Sequence, residues 1–282
     1  MDYNALPSLR SISTQARITI SCMFNPLALP ASDAAVSYFA TQNSVLSVDR
    51  LYYAYPNQPN VLKGLHLQVS GGEKVGLIGP NGAGKTSLFL AICGALSPQS
   101  GEIMLFNCPV HPGNFRPEVG LVFQNPNDQL FSLSVRDDIA FGPLNMGLSD
   151  HEVEARVKEA LMLTGVSELA ERPPHHLSGG EKRMVAIACV LSMRPQLILY
   201  DEPSANLDIR SRRRLIQFLQ AAQQTILVSS HDLELILEVC DRVILLDQGE
   251  IIADGPVHKV MCNASLMEAH GLEKPNSLRQ MG

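Results

Sequence analysis

The sequence of 282 residues lacks any apolar run of the ~18–20 residues that a membrane-spanning helix needs. Its longest apolar-rich stretch, residues 184–200, is interrupted by Ser192, Arg194, Pro195 and Gln196. We therefore expect a soluble or peripheral protein and not one that spans a membrane.

An excess of positive charge is also lacking. The 22 Lys and Arg residues against 28 Asp and Glu residues give a formal net charge of −6. This balance excludes a nucleic-acid binder that is held by bulk charge, and we expect no nucleic-acid partner. Charged residues make up only 18% and hydrophobic residues 45% of the chain, which predicts a folded domain with a sizeable core.

Paired cysteines are missing as well. The six cysteines are scattered without a Cys-x-x-Cys pair, so the spacing predicts neither a zinc site nor a disulfide framework. Cys189 lies in an apolar run, where cysteine acts as a small hydrophobic residue. A reducing, cytosolic compartment fits this usage.

The first 44 residues show no persistent period of 2 or 3.6 and lack the order of a secretory signal. We interpret residues 1–44 as a flexible N-terminal extension. The alternatives are a start codon assigned too early and a transit peptide, against which Asp2 and Asp33 count. The ordered domain is predicted over residues 45–262, and residues 263–282 are predicted to be a polar C-terminal tail.

Within this domain, short apolar runs alternate with helical patterns. Leu65, Leu67 and Val69 alternate with polar residues and indicate a half-buried strand. Apolar runs at 74–78, 119–123, 197–200 and 226–228 predict buried strands, and residues 243–253 predict a hairpin. Ser149 opens a capping-box pattern that begins a helix. The fold class is therefore α/β, with a mostly parallel sheet and a helical insertion at about 130–175.

One glycine-rich segment carries the strongest chemical signal. Residues 79–86 read Gly-Pro-Asn-Gly-Ala-Gly-Lys-Thr, follow a predicted buried strand and precede a helix predicted over 87–96. In this context glycines let backbone N–H groups wrap phosphates at a helix N-terminus. Lys85 is predicted to reach the β- and γ-phosphates, and the Thr86 hydroxyl to bind Mg²⁺. The strand–loop–helix context disfavours a glycine-rich turn that matches the pattern by chance.

A second signal is the apolar strand that ends in Asp201 and Glu202. A carboxylate at the carboxyl end of a parallel strand lies at the edge where the phosphate loop also lies. Asp201 is predicted to hold Mg²⁺ through water and Glu202 to act as general base. Alone, this signal is weak, because Asp-Glu pairs on protein surfaces are common.

The third signal is Leu177-Ser178-Gly179-Gly180-Glu181, which stands before a helix predicted over 182–194. By itself it could be an ordinary helix N-cap. Asp201 follows Ser178 by 23 residues, and a Ser-Ala-Asn-Leu-Asp segment follows in turn. This spacing is rarely produced by chance.

With these motifs the chain resembles the ATP-binding cassette (ABC) ATPases over about residues 45–256. The resemblance implies a P-loop NTPase cassette with a mostly parallel sheet core, an antiparallel β subdomain and a helical signature subdomain. It also implies an ATP hydrolase with ATP and Mg²⁺ as cofactors. Two such cassettes meet head to tail, with each ATP held between the phosphate loop of one and the Leu-Ser-Gly-Gly segment of the other.

Residue roles carry over from this resemblance. Glu202 is the base, His231 the switch histidine at the γ-phosphate, and Gln124 the Q-loop residue near Mg²⁺ and the attacking water, while Thr86 and Asp201 complete the Mg²⁺ set. Tyr55 is our choice for stacking on adenine, with Tyr52 and Tyr53 as rivals. The implied nucleotide-binding residues in the same chain are Gly79, Pro80, Asn81, Gly82, Ala83, Gly84, Lys85, Thr86 and Ser87. Those that would act on the nucleotide of the partner cassette or cross the interface are Ser178, Gly179, Gly180 and Asp208.

Residues 125–131 (Asn-Pro-Asn-Asp-Gln-Leu-Phe) and 172–177 are most similar to the ATPases of energy-coupling factor (ECF) importers, in particular the cobalt/nickel branch. This similarity implies a second ATPase subunit, identical or related, at the cytoplasmic face of the membrane. It also implies a membrane-embedded coupling protein, docked beside the Q-loop, and a substrate-binding membrane subunit.

Three alternatives remain at this point. Vitamin importers of the ECF type share most of these features. A soluble ABC ATPase acting on DNA or ribosomes usually carries a coiled coil or two cassettes per chain, and this chain has neither. Another P-loop class, such as a GTPase, would leave Leu-Ser-Gly-Gly unexplained. One departure from the family is Tyr200 before Asp201, whose hydroxyl needs a partner if it is buried.

Overall fold

A computed structural model of the chain describes residues 44–279, apart from the side chains of Pro59 and Arg279. The predicted N-terminal extension lies outside the described residues, except for Ser44. In chain order the strands are β1 (Ser44–Tyr55), β2 (Gln58–Ser70), β3 (Lys74–Ile78), β4 (Ser100–Leu105), β5 (Cys108–Pro109), β6 (Val119–Val122), β7 (Leu197–Asp201), β8 (Thr225–Ser229), β9 (Arg242–Asp247) and β10 (Glu250–Pro256).

Nine helices accompany these strands in the described part of the chain. They are α1 (Lys85–Ile92), α2 (Val135–Asn145), α3 (Asp150–Thr164), α4 (Gly179–Leu191), α5 (Ile209–Ala221), α6 (Leu233–Val239), α7 (Val257–Met261), α8 (Ala264–Ala269) and α9 (Asn276–Arg279). None of them is both long and apolar enough to cross a membrane.

The strands form two sheets. The larger has the order β10-β9-β3-β8-β7-β6, in which all neighbours are parallel except the β9–β10 pair. The smaller, with the order β2-β1-β4-β5, is antiparallel. The predicted α/β class with a mostly parallel core is therefore confirmed, as is the antiparallel subdomain that the resemblance implied.

Both faces of the parallel sheet are buried, which explains why its strands are continuously apolar. In β7, Leu197 and Leu199 pack against α1 and the antiparallel sheet. Ile198 and Tyr200 face the opposite side and pack with the remaining helices. This alternation places the sheet between two separate cores, so no strand surface is left for polar residues except at the strand ends.

The helical region contains α2 and α3, within the predicted insertion. Ser149 caps α3 by accepting a hydrogen bond from the Glu152 N–H at 3.4 Å. The α4 helix is buried on nearly all sides, because Val185, Ala186 and Val190 are buried in addition to the i, i+3, i+4, i+7 set Met184, Ile187, Ala188 and Leu191. The reciprocal capping box occurs at the start of α4 and not of α3.

The predicted hairpin is present as β9 and β10. Gln248 and Gly249 in its turn have φ angles of 48° and 81°, as a type I′ turn requires. The Gly249 N–H donates to the Ala83 carbonyl at 3.1 Å, and the Lys63 N–H donates to the Gly249 carbonyl at 2.9 Å. The turn therefore supports the segment predicted to bind phosphate.

The prediction of a polar tail after residue 262 is wrong for residues 263–279. These residues form α8 and α9, and Met267 and Leu278 are buried in the core that covers one face of the sheet. The Ser277 N–H donates to a Glu234 carboxylate oxygen at 3.1 Å. The apolar residues of this segment are spaced too widely to show a period, so only the tertiary structure reveals that they pack.

Four cysteines of the described part carry free thiols: Cys93, Cys189, Cys240 and Cys262. Burial raises the pKa of Cys93 to about 12. Burial also raises the pKa of Cys240 to about 12. Both thiols are therefore protonated and unreactive near neutral pH.

Tyr200 has no exposed surface, and its hydroxyl has no hydrogen-bond partner among the described residues. Burial also raises the pKa of this hydroxyl well above its usual value. A buried polar group without a partner costs about 1–3 kcal/mol.

We therefore expect Tyr200→Phe to raise the free energy of unfolding by about 1 kcal/mol, because it removes only the unpaired group. Urea unfolding of the nucleotide-free protein measures this change. A loss of stability of similar size would mean that the hydroxyl has a partner, such as a buried water.

Candidate functional site

The candidate site lies at the carboxyl edge of the parallel sheet, where ligands bind in open α/β folds. Four adjacent strands, β3, β8, β7 and β6, end here and lead into the phosphate loop, His231, Asp201 and Gln124. A cavity of about 190 Å³ lies between them. It is lined by Tyr55, Gln58, Val61, residues 81–87, Gln124, Asp201, Glu202 and His231.

The phosphate loop depends on glycine at two positions. Gly79 has a φ of +150°, and a Cβ there would lie 1.9 Å from the Leu246 carbonyl oxygen. Gly84 has a φ of +109°, and its Cβ would lie 2.9 Å from the Val61 carbonyl oxygen. The loop is therefore held tightly against β9 and β2, which leaves its other side to the cavity.

Lys85 is buried at the start of α1. Its Nζ donates to the Gly79 carbonyl at 2.8 Å and to the Pro80 carbonyl at 3.1 Å. Burial lowers the pKa of Lys85, and the charges of Glu202 and Asp201 partly oppose this shift. A phosphate in the cavity would offer this ammonium group the counter-charge that its surroundings give only in part.

Asp201 is buried, and both of its carboxylate oxygens are held by hydroxyl groups. Thr86 Oγ1 donates to Oδ2 at 2.7 Å, and Ser229 Oγ donates to Oδ1 at 2.6 Å. Carboxylate and hydroxyl oxygens are the ligands that Mg²⁺ prefers, so the paired Thr86 and Asp201 oxygens fit this ion. Our sequence reasoning missed Ser229, although the Ser-Ser dipeptide after an apolar strand was a signal for it.

Glu202 adopts a left-handed backbone conformation with a φ of +45°. Its N–H donates to the Ser229 carbonyl at 3.1 Å, which holds this strained conformation. Carboxylate Oε2 accepts a hydrogen bond from the His231 N–H at 3.0 Å. Carboxylate Oε1 is buried without a hydrogen-bond partner in the described chain and lies 3.4 Å from His231 Nε2. This oxygen can therefore accept a proton.

His231 connects these groups. In addition to its contacts with Glu202, its Nε2 lies 3.4 Å from Lys85 Nζ. Glu202, His231 and Lys85 thus form one connected cluster on the cavity wall. The structure brings these three predicted residues together with Thr86 and Asp201.

Gln124 lies in the exposed loop just after β6 and lines the same cavity. Arg183, on α4, holds this loop by donating from Nη1 to the Phe123 carbonyl and from Nη2 to the Gln124 carbonyl, each at 2.6 Å. Burial lowers the pKa of Arg183 to about 10. The sequence reasoning missed Arg183, although a charged residue inside an otherwise apolar helix was a signal for it.

Tyr55 is the tyrosine of β1 that lines the cavity. Its hydroxyl lies 3.2 Å from Ser87 Oγ. Its ring meets that of Tyr53 edge to face, with centroids 4.9 Å apart. Tyr53 is buried in the core, and Tyr52 is exposed on the other side of the strand against Gly64. This placement favours Tyr55 over its two rivals.

The other predicted nucleotide contacts do not line this cavity. Ser178 caps α4, and the Gly179 backbone faces open space. A Cβ on Gly180 would lie 2.3 Å from Ser211 Oγ, so this glycine lets α4 approach the start of α5. Asp208 caps α5 by accepting hydrogen bonds from the Arg210 and Ser211 N–H groups, each at 2.9 Å. Two helix starts therefore lie side by side, away from the cavity.

Comparison with known proteins identifies the family. The family model for ABC transporters matches residues 62–205, which include the phosphate loop and Asp201. The chain belongs to the ABC transporter ATPases. It is the ATP-hydrolysing subunit of a transporter, and its P-loop cassette fold is that of the family.

Three related proteins are similar to this ABC ATPase over most of its length. A putative ABC transporter ATP-binding protein of Synechocystis sp. is 57% identical over 83% of this chain and 82% of its own length. The energy-coupling factor transporter ATP-binding protein EcfA of Methanothermobacter thermautotrophicus is 43% identical over 82% of this chain and 79% of its own. The structure of cbiO1 from Clostridium perfringens, described as part of the ABC transporter complex cbiONQ, has a TM-score of 0.72 at 35% identity and covers 85% of this chain and 99% of its own.

One prediction for this ABC ATPase concerns Glu202, the predicted general base. We expect Glu202→Gln to retain ATP binding and to lower kcat by about 100-fold or more, because the amide cannot accept a proton from water. Phosphate release and binding of labelled ATP measure the two properties. Near-normal turnover would show that Glu202 is not the base.

A matched variant separates binding from turnover. Lys85→Ala should lose ATP binding itself, because it removes the ammonium group beside the phosphate loop. Undiminished binding by this variant would contradict the assignment of the loop.

The second prediction concerns adenine. Stacking on a nucleobase contributes about 1–3 kcal/mol, so Tyr55→Ala should raise the dissociation constant for ATP by about tenfold. Tyr52→Ala, on the same strand but outside the cavity, is the control and should bind normally. Equal affinities of the two variants in a fluorescence titration would contradict the assignment of Tyr55.

Proposed function

We propose that this chain is the ATPase subunit of an ECF-type importer that couples ATP binding and hydrolysis to uptake of a transition metal ion, cobalt or nickel. Similarity to EcfA and to cbiO1 supports the ECF type. The choice of cobalt or nickel as the transported ion rests on the resemblance of residues 125–131 and 172–177 to the cobalt/nickel branch.

In this proposal the site residues act on Mg–ATP. Mg²⁺, when bound, would supply positive charge that stabilises the γ-phosphoryl group during its transfer to water, with ADP as the leaving group. Thr86 and Asp201 hold the ion together with Gln124, and Lys85 binds the phosphates. Glu202 takes the proton of the attacking water through the oxygen that its neighbours leave unpaired.

A second ATPase subunit completes the site. Ser178, Gly179, Gly180 and Asp208 lie away from the cavity of their own chain, so they are free to act on a nucleotide held by another. Gly179 in particular faces open space at the start of α4, where backbone N–H groups favour an anion. The partner is either a second copy or a related ATPase.

The observation that carries the importer proposal is an apolar groove beside Gln124. The groove has a volume of about 670 Å³. Phe131 and Phe141, 67% and 50% exposed, meet edge to face there with ring centroids 5.0 Å apart. Other lining residues are Phe115, Leu121, Phe123, Asp138, Asn145 and Met193. Exposed aromatic patches of this kind mark interaction sites, and helices commonly dock in apolar grooves.

Asp138 indicates the chemistry of the docked helix. This residue is 4% exposed, and its Oδ1 accepts hydrogen bonds from the Phe131 and Ser132 N–H groups. Its Oδ2 has no partner among the described residues. Because this carboxylate lines the groove, its negative charge favours a coupling helix that carries a basic side chain.

The transported ion is assigned to the membrane subunits. The described residues contain no group of three or more His, Cys, Asp or Glu side chains that could hold a metal. Adjacent His175 and His176 stack edge to face, with centroids 4.2 Å apart, in a short 3-10 turn. The chain would therefore supply energy and not select the substrate.

The test is detergent extraction of the tagged chain from its native host, with partners identified by mass spectrometry. We expect a multi-helix coupling protein and a substrate-binding membrane subunit to co-purify. Phe131→Asp should lose both, because it places a charge in the groove, and should keep ATP binding. Met162→Asp, at an exposed apolar residue of α3 that does not line the groove, is the matched control and should retain them.

The outcomes separate the alternatives. Uptake of radioactive cobalt or nickel by cells that contain the complex would support the metal importer, and uptake of a vitamin instead would support the vitamin module. Recovery of no membrane partner would favour a soluble ABC ATPase. Equal loss of partners in both variants would contradict docking in the groove.

A further inference from the structure

An ion pair lies directly beside His231 and involves none of the motif residues. Asp232 follows His231 and starts α6, where its Oδ1 accepts a hydrogen bond from the Leu235 N–H at 3.1 Å. Arg212, on α5, binds both oxygens of the same carboxylate through one edge of its guanidinium group: Nε donates to Oδ2, and Nη2 donates to Oδ1 at 2.9 Å. Two parallel charge-assisted bonds fix distance and orientation together.

The surroundings make this pair stronger than an ordinary surface contact. The side chains of Arg212 and Asp232 are only 29% and 24% exposed. Burial by itself would raise the pKa of Asp232, but the hydrogen bonds from Arg212 and Leu235 outweigh it and leave this pKa lowered. The hydrogen bond to Asp232 correspondingly raises the pKa of Arg212. Both groups therefore stay charged near neutral pH.

The pair joins two segments with different tasks. Arg212 lies one turn after Asp208, which is predicted to cross the dimer interface. Its helix therefore begins directly after residues 204–208, the Ser-Ala-Asn-Leu-Asp segment, which corresponds to the D-loop of the family and is called the D-loop segment below. Asp232 lies in the loop that places His231, and its N–H donates to Ser230 Oγ at 3.0 Å. Ser204, in the segment after Glu202, lies with its Oγ 3.4 Å from Ser230 Oγ. The Asp232 carboxylate therefore connects α5, which begins next to Asp208, with the histidine loop.

We propose that Arg212 is a positioning residue for ATP hydrolysis, which through Asp232 fixes the His231 loop relative to the D-loop segment. This inference rests on the proposed ATPase function and on the role of His231 at the γ-phosphate, which the resemblance to the ABC ATPases implies. A displacement of Asp208 at the dimer interface would thereby be transmitted to His231 in the catalytic centre through the Arg212–Asp232 ion pair.

The geometry at His231 explains why this position matters. Its Nε2 lies 3.4 Å from both Lys85 Nζ and Glu202 Oε1, at the outer limit of a hydrogen bond. A displacement of a few tenths of an ångström therefore makes or breaks these contacts. Without Arg212, Asp232 would still cap α6 and Arg213 would still pair with Glu238 of α6. The direct link between α5 and the residue after His231 would be lost.

The test compares two arginines that each bind one carboxylate through Nε and Nη2. Arg242, at the amino end of β9 and thus at the sheet edge opposite the cavity, binds Asp254 in this way at 2.6 Å each, and its Nη1 also donates to the Gln68 carbonyl at 3.0 Å. We expect both Arg212→Ala and Arg242→Ala to lower the melting temperature, and Arg242→Ala to lower it at least as much. Only Arg212→Ala should reduce kcat, by roughly tenfold, with KM for ATP unchanged within about twofold.

Two further variants separate positioning from a loss of folding. Asp232→Asn keeps a side-chain oxygen that can cap α6 but removes the charge, so it should lower kcat like Arg212→Ala. Because the two residues act as one unit, the double variant should be no slower than the slower single variant. Arg212→Lys, which retains the charge and one hydrogen bond, should recover part of kcat.

His231→Ala distinguishes failure of this inference from failure of the proposed role. If His231→Ala is inactive and Arg212→Ala turns over ATP within about twofold of the wild type, the inference is overturned and the role of His231 stands. A raised KM with unchanged kcat in Arg212→Ala overturns it as well. Normal turnover by His231→Ala overturns the role of His231 itself.

Discussion

The parallel pairing of β7 with β8 is the constraint on which the site depends. In this register Asp201 lies opposite Ser229, the last residue of β8. Ser229 can therefore donate its hydroxyl to Asp201 and its carbonyl can accept the Glu202 N–H. A single residue on the neighbouring strand thus fixes the Asp201 carboxylate and the Glu202 backbone. A shift of one residue would turn Asp201 to the other face of the sheet, away from Thr86.

Short sequence patterns predicted those parts of the fold that depend on residues close together in the sequence. The phosphate loop was predictable because residues 79 and 84 must be glycine, since each has a positive φ and lies against a neighbouring backbone. The hairpin was predictable because Gln248-Gly249 suits a tight turn. Asp201 was predictable because an apolar strand ends there. The binding partners of Arg183, Ser229 and Arg212 were not predictable, since each side chain acts on a group more than fifteen residues away in sequence. The packing of residues 263–279 was missed for the same reason, because it depends on burial of isolated apolar side chains.

Two neighbouring residues connect the cavity with the groove. Gln124 lines the cavity and Phe123 lines the groove, and Arg183 holds both of their carbonyls. While both hydrogen bonds from Arg183 persist, a displacement of Phe123 in the groove also displaces Gln124 in the cavity, and the reverse. Because α4 begins at Ser178, the segment assigned to the partner's nucleotide is carried by the same helix that holds the Q-loop. One rigid helix thus contacts three surfaces: cavity loop, groove and interface.

If the site is completed only by a second subunit, as proposed, a single cassette would be kept from wasteful turnover. Lys85 satisfies its ammonium group with two carbonyls of its own loop, and Glu202 keeps one carboxylate oxygen without a partner. A bound nucleotide would give both groups better partners than they have in its absence. Nucleotide binding would therefore stabilise the folded cassette by mass action. Binding alone does not bring Ser178 or Asp208 of the same chain to the phosphates, because both lie at the start of helices outside the cavity. If hydrolysis needs these groups, it must wait until a second subunit supplies them, which makes assembly the control point for turnover.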